Sequence, residues 1–333
     1  MRRFAVGLCL LASSACFSTP IAPALPSSQF PLPRYIRVQV VERGTPVVRE
    51  VPIEEYVQAT ALSEFAPAAG DLISVEAMLE VQAIISRTYA ISHLQRHARE
   101  GFDLCSTTHC QLYDPLRLGT SRWAGAAAEA VDRTAGVVLQ FQGLPAQALF
   151  HADCGGHTSA PAAVWGGDNR PYLTSQADSG LTTDPHVTWD YRVAIDAVSR
   201  ALNADSRTQI VGTLDSIDII ARDDAGRAER VALRTGLGRG ANGQVLPLTV
   251  VRGDELRATL TRVFGARSIR STWFSVRRDR DELLFAGRGF GHGVGLCQAG
   301  ALARVRSGVR PNDVLRYYYP GTSLARLTTS STH

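Results

Sequence analysis

The sequence of 333 residues contains no lysine, so arginine supplies all 35 basic side chains. The arginines are scattered along the chain, and no basic stripe interleaved with aromatic residues occurs. Binding to nucleic acid is therefore not expected. The formal net charge of +4 is small, and a weak positive balance suits an anionic polymer as the binding partner.

Long hydrophobic runs are also missing. The apolar run near the N-terminus, residues 5–12, is too short to span a bilayer and remain there. Because Arg2 and Arg3 precede it, residues 1–20 are predicted to be an export signal, and no transmembrane segment is expected in the mature chain. We therefore expect an exported protein of the periplasm or cell envelope.

The export signal could end at a lipid-attachment cysteine. Cys16 follows small residues, as such cysteines do, although Ser13 stands where a lipoprotein signal prefers a branched aliphatic residue. Residues 21–34 are rich in proline and serine and are typical of a linker or tether rather than of a buried helix. A lipid anchor at Cys16 and a free exported protein both remain open.

The remaining chain has the composition of a folded domain, with 45% hydrophobic and 20% charged residues. Alternating residues rich in Val and Ile predict a hairpin over 35–53, and a second hairpin is predicted around Gly143. Strands and helices do not alternate regularly along the sequence, and no internal repeat occurs. An α+β fold is therefore predicted for a single domain over residues 35–326.

Two helices are predicted near the start of this domain. Residues 54–62 form a short helical pattern, and a long helix is expected from an N-cap at Ser74 to about His97. Glu64 follows the short helix and precedes Phe65, Ala66 and Pro67. A carboxylate in apolar surroundings beside a helix break is a candidate for a raised pKa, although a solvated surface glutamate is the commoner case.

A spaced set of soft ligands follows the long helix. His97, Cys105, His109 and Cys110 offer two thiolates and two imidazoles, the donors that tetrahedral zinc prefers. His93 would share a helical face with His97 and compete for the role. A disulfide between Cys105 and Cys110 is the alternative, because an exported protein can form one.

Two glycine-rich segments carry further candidate residues. In residues 287–301 the glycines let the backbone approach a ligand closely, and His292 could donate a hydrogen bond to a sugar or phosphate. A dinucleotide-binding motif is excluded there, because His292 occupies the place of its third glycine. Near residues 151–167, Cys154 beside His151 suggests a thiol nucleophile without a visible base, and Trp165 could stack on a sugar or belong to the core.

Taken together, these segments resemble the stage II sporulation protein D family, which includes the amidase-enhancer proteins. The resemblance covers nearly the whole mature chain and is weakest at residues 186–270. Its matching segments are EEYVQATALSEFAP (54–67), EAMLEVQAIISRTYA (76–90), HCQLYD (109–114), residues 130–159, VWGGDNRPYL (164–173), GRGFGHGVGLCQAGA (287–301) and LRYYYPGTSL (315–324).

The resemblance implies a peptidoglycan lytic transglycosylase that cleaves MurNAc–GlcNAc bonds of glycan strands, including strands without stem peptides. Two lobes would flank a glycan-binding groove, with Glu64 as the catalytic acid/base. A structural zinc would be held by His97, Cys105, His109 and Cys110, with a longer gap after His97 than the family pattern has. The residues expected to bind substrate are Gln111, Tyr113, His151, Trp165, Arg288, His292 and Gln298.

One carboxylate is enough for this reaction. Ordinary glycosidases need two carboxyl groups, whereas in a lytic transglycosylase the substrate's own C6 hydroxyl is the nucleophile. Asp153 and Asp168 are the remaining candidates for a second carboxylate.

Two other functions stay open: a non-catalytic glycan-binding enhancer of a cell-wall amidase, and a zinc amidase or peptidase. A closed set of four protein ligands argues against the latter, because it leaves no position for water.

The resemblance also suggests that Cys154 and Cys297 come together. The family often has serine at both positions, and each cysteine lies in a glycine-rich segment that permits close approach of two chain segments. We expect the two residues to be adjacent. Whether they form a disulfide or two separate buried thiols is left open.

Overall fold

The computed structural model describes residues 25–26, 30–178, 186–235 and 248–329. The predicted export signal, including Cys16, lies outside these described residues, and so does part of the predicted linker. Within the described ranges, no helix combines the length and hydrophobicity that crossing a membrane requires.

The described part of the chain is a mixture of helices and strands, which confirms the α+β class. The helices are α1 Ile53–Glu64, α2 Leu72–Ser92, α3 Arg117–Thr120, α4 Ala124–Arg133, α5 Pro161–Trp165, α6 Ile195–Asn203, α7 Gly253–Phe264, α8 Gln298–Arg306 and α9 Pro311–Tyr318. The strands are β1 Tyr35–Glu42, β2 Thr45–Pro52, β3 Leu104–Cys105, β4 Val137–Phe141, β5 Leu144–Pro145, β6 Phe150–His151, β7 Thr188–Ala194, β8 Leu214–Arg222, β9 Ala228–Thr235, β10 Thr249–Arg252, β11 Phe274–Asp279, β12 Glu282–Arg288, β13 Leu296–Cys297 and β14 Ser323–Arg326.

The first predicted hairpin is confirmed. Strands β1 and β2 pair antiparallel from Tyr35 opposite Pro52 to Glu42 opposite Thr45. Gly44 in the turn has a φ of 82°, a conformation that glycine adopts without steric cost. Strand β3 adds to β1 in parallel and places Cys105 opposite Gln39. The hairpin therefore anchors one end of the loop that carries the predicted metal ligands.

The predicted bounds of the long helix were wrong at both ends. Asp71 is the N-cap of α2 rather than Ser74, because the Asp71 carboxylate accepts a hydrogen bond from the Ser74 N–H at 2.8 Å. The helix ends at Ser92 rather than near His97, and His93 follows it with its Nδ1 2.9 Å from the Tyr89 carbonyl. His93 and His97 therefore do not share a helical face.

The second hairpin is only partly as predicted. Strand β4 pairs antiparallel with β5 around the turn that contains Gly143, and β14 pairs with the other edge of β4. Strand β6 instead pairs in parallel with β13, which places His151 opposite Cys297. This pairing joins segments more than 140 residues apart, so local sequence patterns could not reveal it.

Hydrophobic side chains form two large cores beyond the hairpin region. The first core packs α1, α2, α4, α8 and α9 against β4 and β13. A second core lies entirely within residues 186–288 and is built from β7–β12 with α6 and α7. A smaller core lies between the β1–β2 hairpin and the facing sides of α1 and α2.

Polar contacts connect the second core to the rest of the chain. His186 Nδ1 lies 2.7 Å from Asp153 Oδ1, and Ser159 Oγ donates to Asp223 Oδ2 at 2.6 Å. A third contact joins Trp165 to the start of α7. Two lobes with a groove between them remain a prediction.

An ion pair stabilises the junction of α1, α2 and β4. The Arg87 side chain is fully buried, and its Nε donates to Glu54 Oε1 at 3.0 Å while Nη1 donates to the Val137 carbonyl. Glu54 Oε1 also accepts the Gly136 N–H at 3.0 Å. A buried cation without its partner would be strongly unfavourable.

We predict that Glu54→Ala lowers the free energy of unfolding by about 2–4 kcal/mol, because it leaves the buried Arg87 guanidinium without a counter-charge. Urea denaturation followed by circular dichroism measures the change. The matched control is Glu42→Ala, which removes the partner of Arg49 from an exposed ion pair and should cost about 1 kcal/mol or less. Equal effects of the two substitutions would contradict the prediction.

Candidate active site

Glu64 is the last residue of α1, and the chain turns into an extended conformation at Phe65. Its Oε1 accepts a hydrogen bond from the Leu112 N–H at 2.6 Å. Burial raises the pKa of Glu64 to about 7, and the Leu112 hydrogen bond opposes this effect only in part. The raised pKa expected from the sequence is present, so both the acid and the carboxylate form are populated near neutral pH.

Two buried glutamines hold the backbone at Glu64. Gln298 Nε2 donates to the Glu64 carbonyl at 3.3 Å and to Gln82 Oε1 at 3.0 Å. Gln82 Nε2 in turn donates to Ser86 Oγ at 3.1 Å. The predicted substrate residue Gln298 thus ties α8 and α2 to the end of α1. Gln82 was missed in the sequence, where it looks like an ordinary polar residue of a helix.

Gln111 and Tyr113 lie beside the Leu112 donor and are both buried. The Tyr56 hydroxyl donates to Gln111 Oε1 at 3.0 Å, and the rings of Tyr56 and Tyr113 stack with centroids 5.2 Å apart. Gln111 Nε2 has no hydrogen-bond partner among the described residues. This amide is therefore a buried donor close to the backbone that binds Glu64. Tyr56 stands in the EEYVQ segment, but no sequence signal distinguished it.

The four predicted metal ligands come together. His97 Nε2 lies 3.4 Å from Cys110 Sγ, and His109 Nδ1 lies 3.6 Å from both sulfurs, of Cys105 and of Cys110. Tetrahedral zinc, with bonds of about 2.3 Å to sulfur and about 2.0 Å to nitrogen, would separate sulfur and nitrogen ligands by about 3.5 Å. The residues present therefore fit such an ion.

The two sulfurs of this group do not form a disulfide in the structure. Cys105 Sγ and Cys110 Sγ are 3.2 Å apart, whereas a disulfide requires about 2.05 Å. The neighbouring Cys110 thiol lowers the pKa of Cys105 to about 4, and the thiolate is the form that binds metal. The group can accept a metal ion if the sulfurs move apart by about 0.5 Å.

Glu100 would orient His97, one of the candidate metal ligands. His97 Nδ1 lies 3.1 Å from Glu100 Oε1, and the His97 ring stacks on Phe102 with centroids 4.5 Å apart. Metal-binding histidines commonly bond a carboxylate through the other ring nitrogen, which fixes the tautomer that presents Nε2 to the ion. Glu100 was not predicted from the sequence.

A second group of predicted residues surrounds His292. Its ring centroid is 5.4 Å from that of His151 and 5.1 Å from that of Trp165. His292 Nδ1 accepts the Val294 N–H at 3.0 Å, and His151 Nδ1 lies 3.2 Å from the Val294 carbonyl. Burial lowers the pKa of His292 to about 4 and that of His151 well below its usual range. Both rings are therefore neutral at pH 7.

Strand β13 connects the two groups of residues. Cys297 lies opposite His151 in the β6–β13 pair, and the next residue, Gln298, contacts the Glu64 backbone. The Trp165 ring is exposed beside His292. Arg288 is placed differently from the other predicted residues: its guanidinium lies 3.3 Å from the centroid of the Trp273 ring.

Cys154 and Cys297 are adjacent, as predicted. The Cys154 N–H donates to Cys297 Sγ at 3.1 Å, and the Cys154 thiol donates to Asp178 Oδ2 at 3.3 Å. Both cysteines are free and fully buried, so the disulfide alternative is not realised in this structure. Burial raises the pKa of Cys297 well above its usual range. Buried thiols of this kind are structural rather than nucleophilic.

Fold and site together define an α+β protein with one carboxyl group of raised pKa beside a cluster of cysteine and histidine side chains. The model of the Stage II sporulation protein family matches residues 41–141, which contain Glu64, the four candidate metal ligands, Gln111 and Tyr113. This match supports the stage II sporulation protein D family that the motifs predicted.

Curated relatives agree with this assignment. The amidase enhancer of Bacillus subtilis is 27% identical over 284 residues, which are 75% of this chain and 38% of the relative. Stage II sporulation protein D of the same organism is 26% identical over 302 residues, covering 87% of this chain and 79% of the relative. An uncharacterized protein of Brachyspira hyodysenteriae is 28% identical over 282 residues, covering 84% and 68%. The chain thus spans well under half the length of the amidase enhancer.

We predict that Glu64→Gln changes how stability depends on pH. A carboxyl group whose folded-state pKa is raised keeps a proton that the unfolded chain has lost, so wild-type stability falls as the pH rises from about 4.5 to about 7. Glutamine does not titrate, so the variant should be more stable than the wild type by about 1–3 kcal/mol at pH 8 and nearly equal to it at pH 4.

Urea denaturation between pH 4 and pH 8 measures this difference. Glu50→Gln is the matched control, because Glu50 is exposed on β2 and its replacement should follow the wild-type curve. Parallel curves for Glu64→Gln and the wild type would show that the carboxyl group titrates as it does in water.

Proposed function

We propose that this protein is a peptidoglycan lytic transglycosylase that cleaves MurNAc–GlcNAc bonds of glycan strands and leaves a 1,6-anhydro product. The observation that carries this proposal is the state of Glu64. Its pKa is raised by burial and not by a neighbouring carboxylate, so a single residue can first give and then take a proton near pH 7.

The reaction requires two proton transfers. Glu64 in its acid form donates a proton to the glycosidic oxygen as the bond to the muramyl C1 breaks. The resulting carboxylate then accepts the proton of the muramyl C6 hydroxyl as that oxygen bonds to C1 and closes the 1,6-anhydro ring. No second carboxylate is needed, in contrast to hydrolytic glycosidases.

The substrate would lie along the line from Glu64 to Trp165, in a groove between two lobes. Trp165 offers an exposed aromatic face, and His292 lies beside it. Four of the predicted substrate residues are buried: Gln111, Tyr113, His151 and Gln298. They would support the walls of the groove and would contact the glycan only where the groove extends down to them. Arg288 would bind the strand further along, where its guanidinium covers Trp273.

We further propose that zinc binds to His97, Cys105, His109 and Cys110. Four protein ligands occupy every position of a tetrahedral ion, so the metal would be structural and an amidase or peptidase reaction is not supported. Its effect on the site would pass along the chain, because Cys110 is followed directly by Gln111 and by Leu112, whose N–H binds Glu64.

An amidase-enhancing function is the second candidate, favoured by the name of the Bacillus subtilis relative. In that case the chain binds glycan strands and a cell-wall amidase, and Glu64 has no chemical role. Either function requires export to the periplasm or cell envelope, with or without a lipid at Cys16. Cleavage by the purified protein separates the two candidates.

We predict that purified wild-type protein releases fragments with 1,6-anhydromuramyl ends from purified glycan strands, detected by mass spectrometry. Glu64→Gln should lower this rate about 10²–10⁴-fold, because it removes the proton donor and acceptor, and should leave glycan binding unchanged. Glu50→Gln serves as the control and should keep wild-type activity. Undiminished cleavage by Glu64→Gln would show that Glu64 is not the acid/base. No cleavage by the wild type, together with stimulation of an amidase, would favour the enhancer function.

We predict about one zinc ion per chain, measured by elemental analysis of protein purified without added metal. Cys110→Ser should lose the metal and lower the melting temperature. Cys297→Ser is the matched control, because it changes a buried cysteine outside the group and should keep the zinc. Metal-free wild-type protein with a mapped Cys105–Cys110 disulfide would contradict zinc binding.

A further inference from the structure

The indole of Trp165 has an unusual combination of exposure and anchoring. Trp165 is the last residue of α5, and its side chain is 42% exposed. Its Nε1–H nevertheless donates a hydrogen bond to Asp254 Oδ2 at 3.0 Å. An exposed tryptophan would ordinarily leave this donor to water, so the bond selects one orientation of the ring.

Asp254 is itself held in place from behind. It lies in the first turn of α7, and its other oxygen, Oδ1, accepts from Arg257 Nη1 at 3.2 Å. The side chains of Asp254 and Arg257 are only 18% and 21% exposed, so this ion pair is better shielded from solvent than most surface pairs. The carboxylate therefore bridges the indole and the guanidinium.

Gly166, the residue after Trp165, also lies against the second core, beside the Arg252 side chain. Gly166 has a φ of 78°, and a Cβ atom at this position would lie 2.5 Å from Arg252 Nη2. Glycine is favoured here by its backbone conformation, and the missing Cβ leaves room for the Arg252 guanidinium. The segment 252–257 packs against Trp165–Gly166 and sets where the indole stands.

The opposite neighbour of the indole is His292, whose ring centroid is 5.1 Å away. The indole is thus confined by Asp254 and His292 while part of its surface remains open. An aromatic face that is fixed before binding loses little conformational entropy when a sugar ring stacks on it. The fixed and partly open indole is therefore better described as a preorganised binding surface than as a contact that only joins two cores.

We propose that Asp254, supported by Arg257, is a positioning residue that orients Trp165 for stacking on a sugar ring of the glycan strand. Asp254, which lies within residues 186–270 where the family resemblance is weakest, then contributes to glycan affinity without touching the glycan. This inference rests on the proposed function in one respect, that the ligand is a glycan. It does not depend on whether the chain cleaves that glycan.

The test is a double-mutant cycle with N-acetylglucosamine tetramer as a neutral glycan analogue, its dissociation constant measured by calorimetry. Asp254→Ala should weaken binding about three- to tenfold, the loss expected for one ordinary hydrogen bond at a partly exposed site. Trp165→Phe, which keeps a ring but removes the N–H, should weaken it similarly. The double variant should bind no worse than Trp165→Phe alone, because Asp254 acts through the indole N–H.

Two further variants sharpen the test. Asp254→Asn keeps an oxygen acceptor for the indole and should restore affinity to within about twofold of wild type, which a merely structural role of the charged pair with Arg257 would not allow. Asp218→Ala is the matched control: it removes an aspartate of the second core that pairs with Arg234 at the surface, and binding should not change.

Several results would overturn the inference. These are unchanged affinity in Asp254→Ala, additive losses in the double variant, unchanged affinity in Trp165→Ala, or no binding of the tetramer by the wild type. The proposed enzymatic function fails separately, if wild-type protein binds the tetramer through Trp165 but never produces 1,6-anhydro ends. Circular dichroism of each variant verifies that the fold is retained.

Discussion

The proposed chemistry of this protein depends on keeping one carboxyl group out of water. Glu64 ends a helix that is buried along most of its length, and its Oε1 accepts one backbone hydrogen bond, from Leu112. Additional hydrogen-bond donors would stabilise the carboxylate and return its pKa to the ordinary range. Complete burial without any donor would make ionisation of the carboxyl group too unfavourable. Burial and this N–H act in opposite directions on the pKa of Glu64, and burial is the larger effect.

The position of that N–H is a property of the loop that carries the cysteine and histidine group. Cys105 is fixed by β3 against the first hairpin, and Cys110 stands two residues before Leu112. A loop of this length without regular structure has many conformations, and a metal bound to its side chains would remove most of them. Glu100 on His97 and Tyr56 on Gln111 restrict it further. In the proposed function, a structural ion and an acid/base residue would thus be coupled without direct contact.

The second core gives a different kind of support. The described residues of 186–288 surround a hydrophobic core of their own. They contact the rest of the chain through polar pairs such as His186 with Asp153 and Trp165 with Asp254. Polar contacts are directional, so they specify the orientation of the groups that they join more strictly than apolar packing does. The bond from Trp165 to Asp254 thus lets this core determine how an aromatic ring is presented.

The sequence alone predicts the α+β class, the first hairpin, the family resemblance and the residue types of the candidate metal group, because these follow from alternation, composition and short motifs. It also identified Glu64 as a carboxylate in apolar company. Packing of the folded chain fixes the end of α2 at Ser92, the pairing of β6 with β13, and the contacts of Tyr56, Gln82 and Asp254. Each of these depends on a partner distant in sequence, and a polar residue in a helix carries no local sign of which distant atom it will bind. The pKa of Glu64 depends on local sequence and on tertiary packing. The apolar neighbours Phe65, Ala66 and Pro67 favour burial, but the extent of burial and the hydrogen bond from Leu112 exist only when distant segments have packed together.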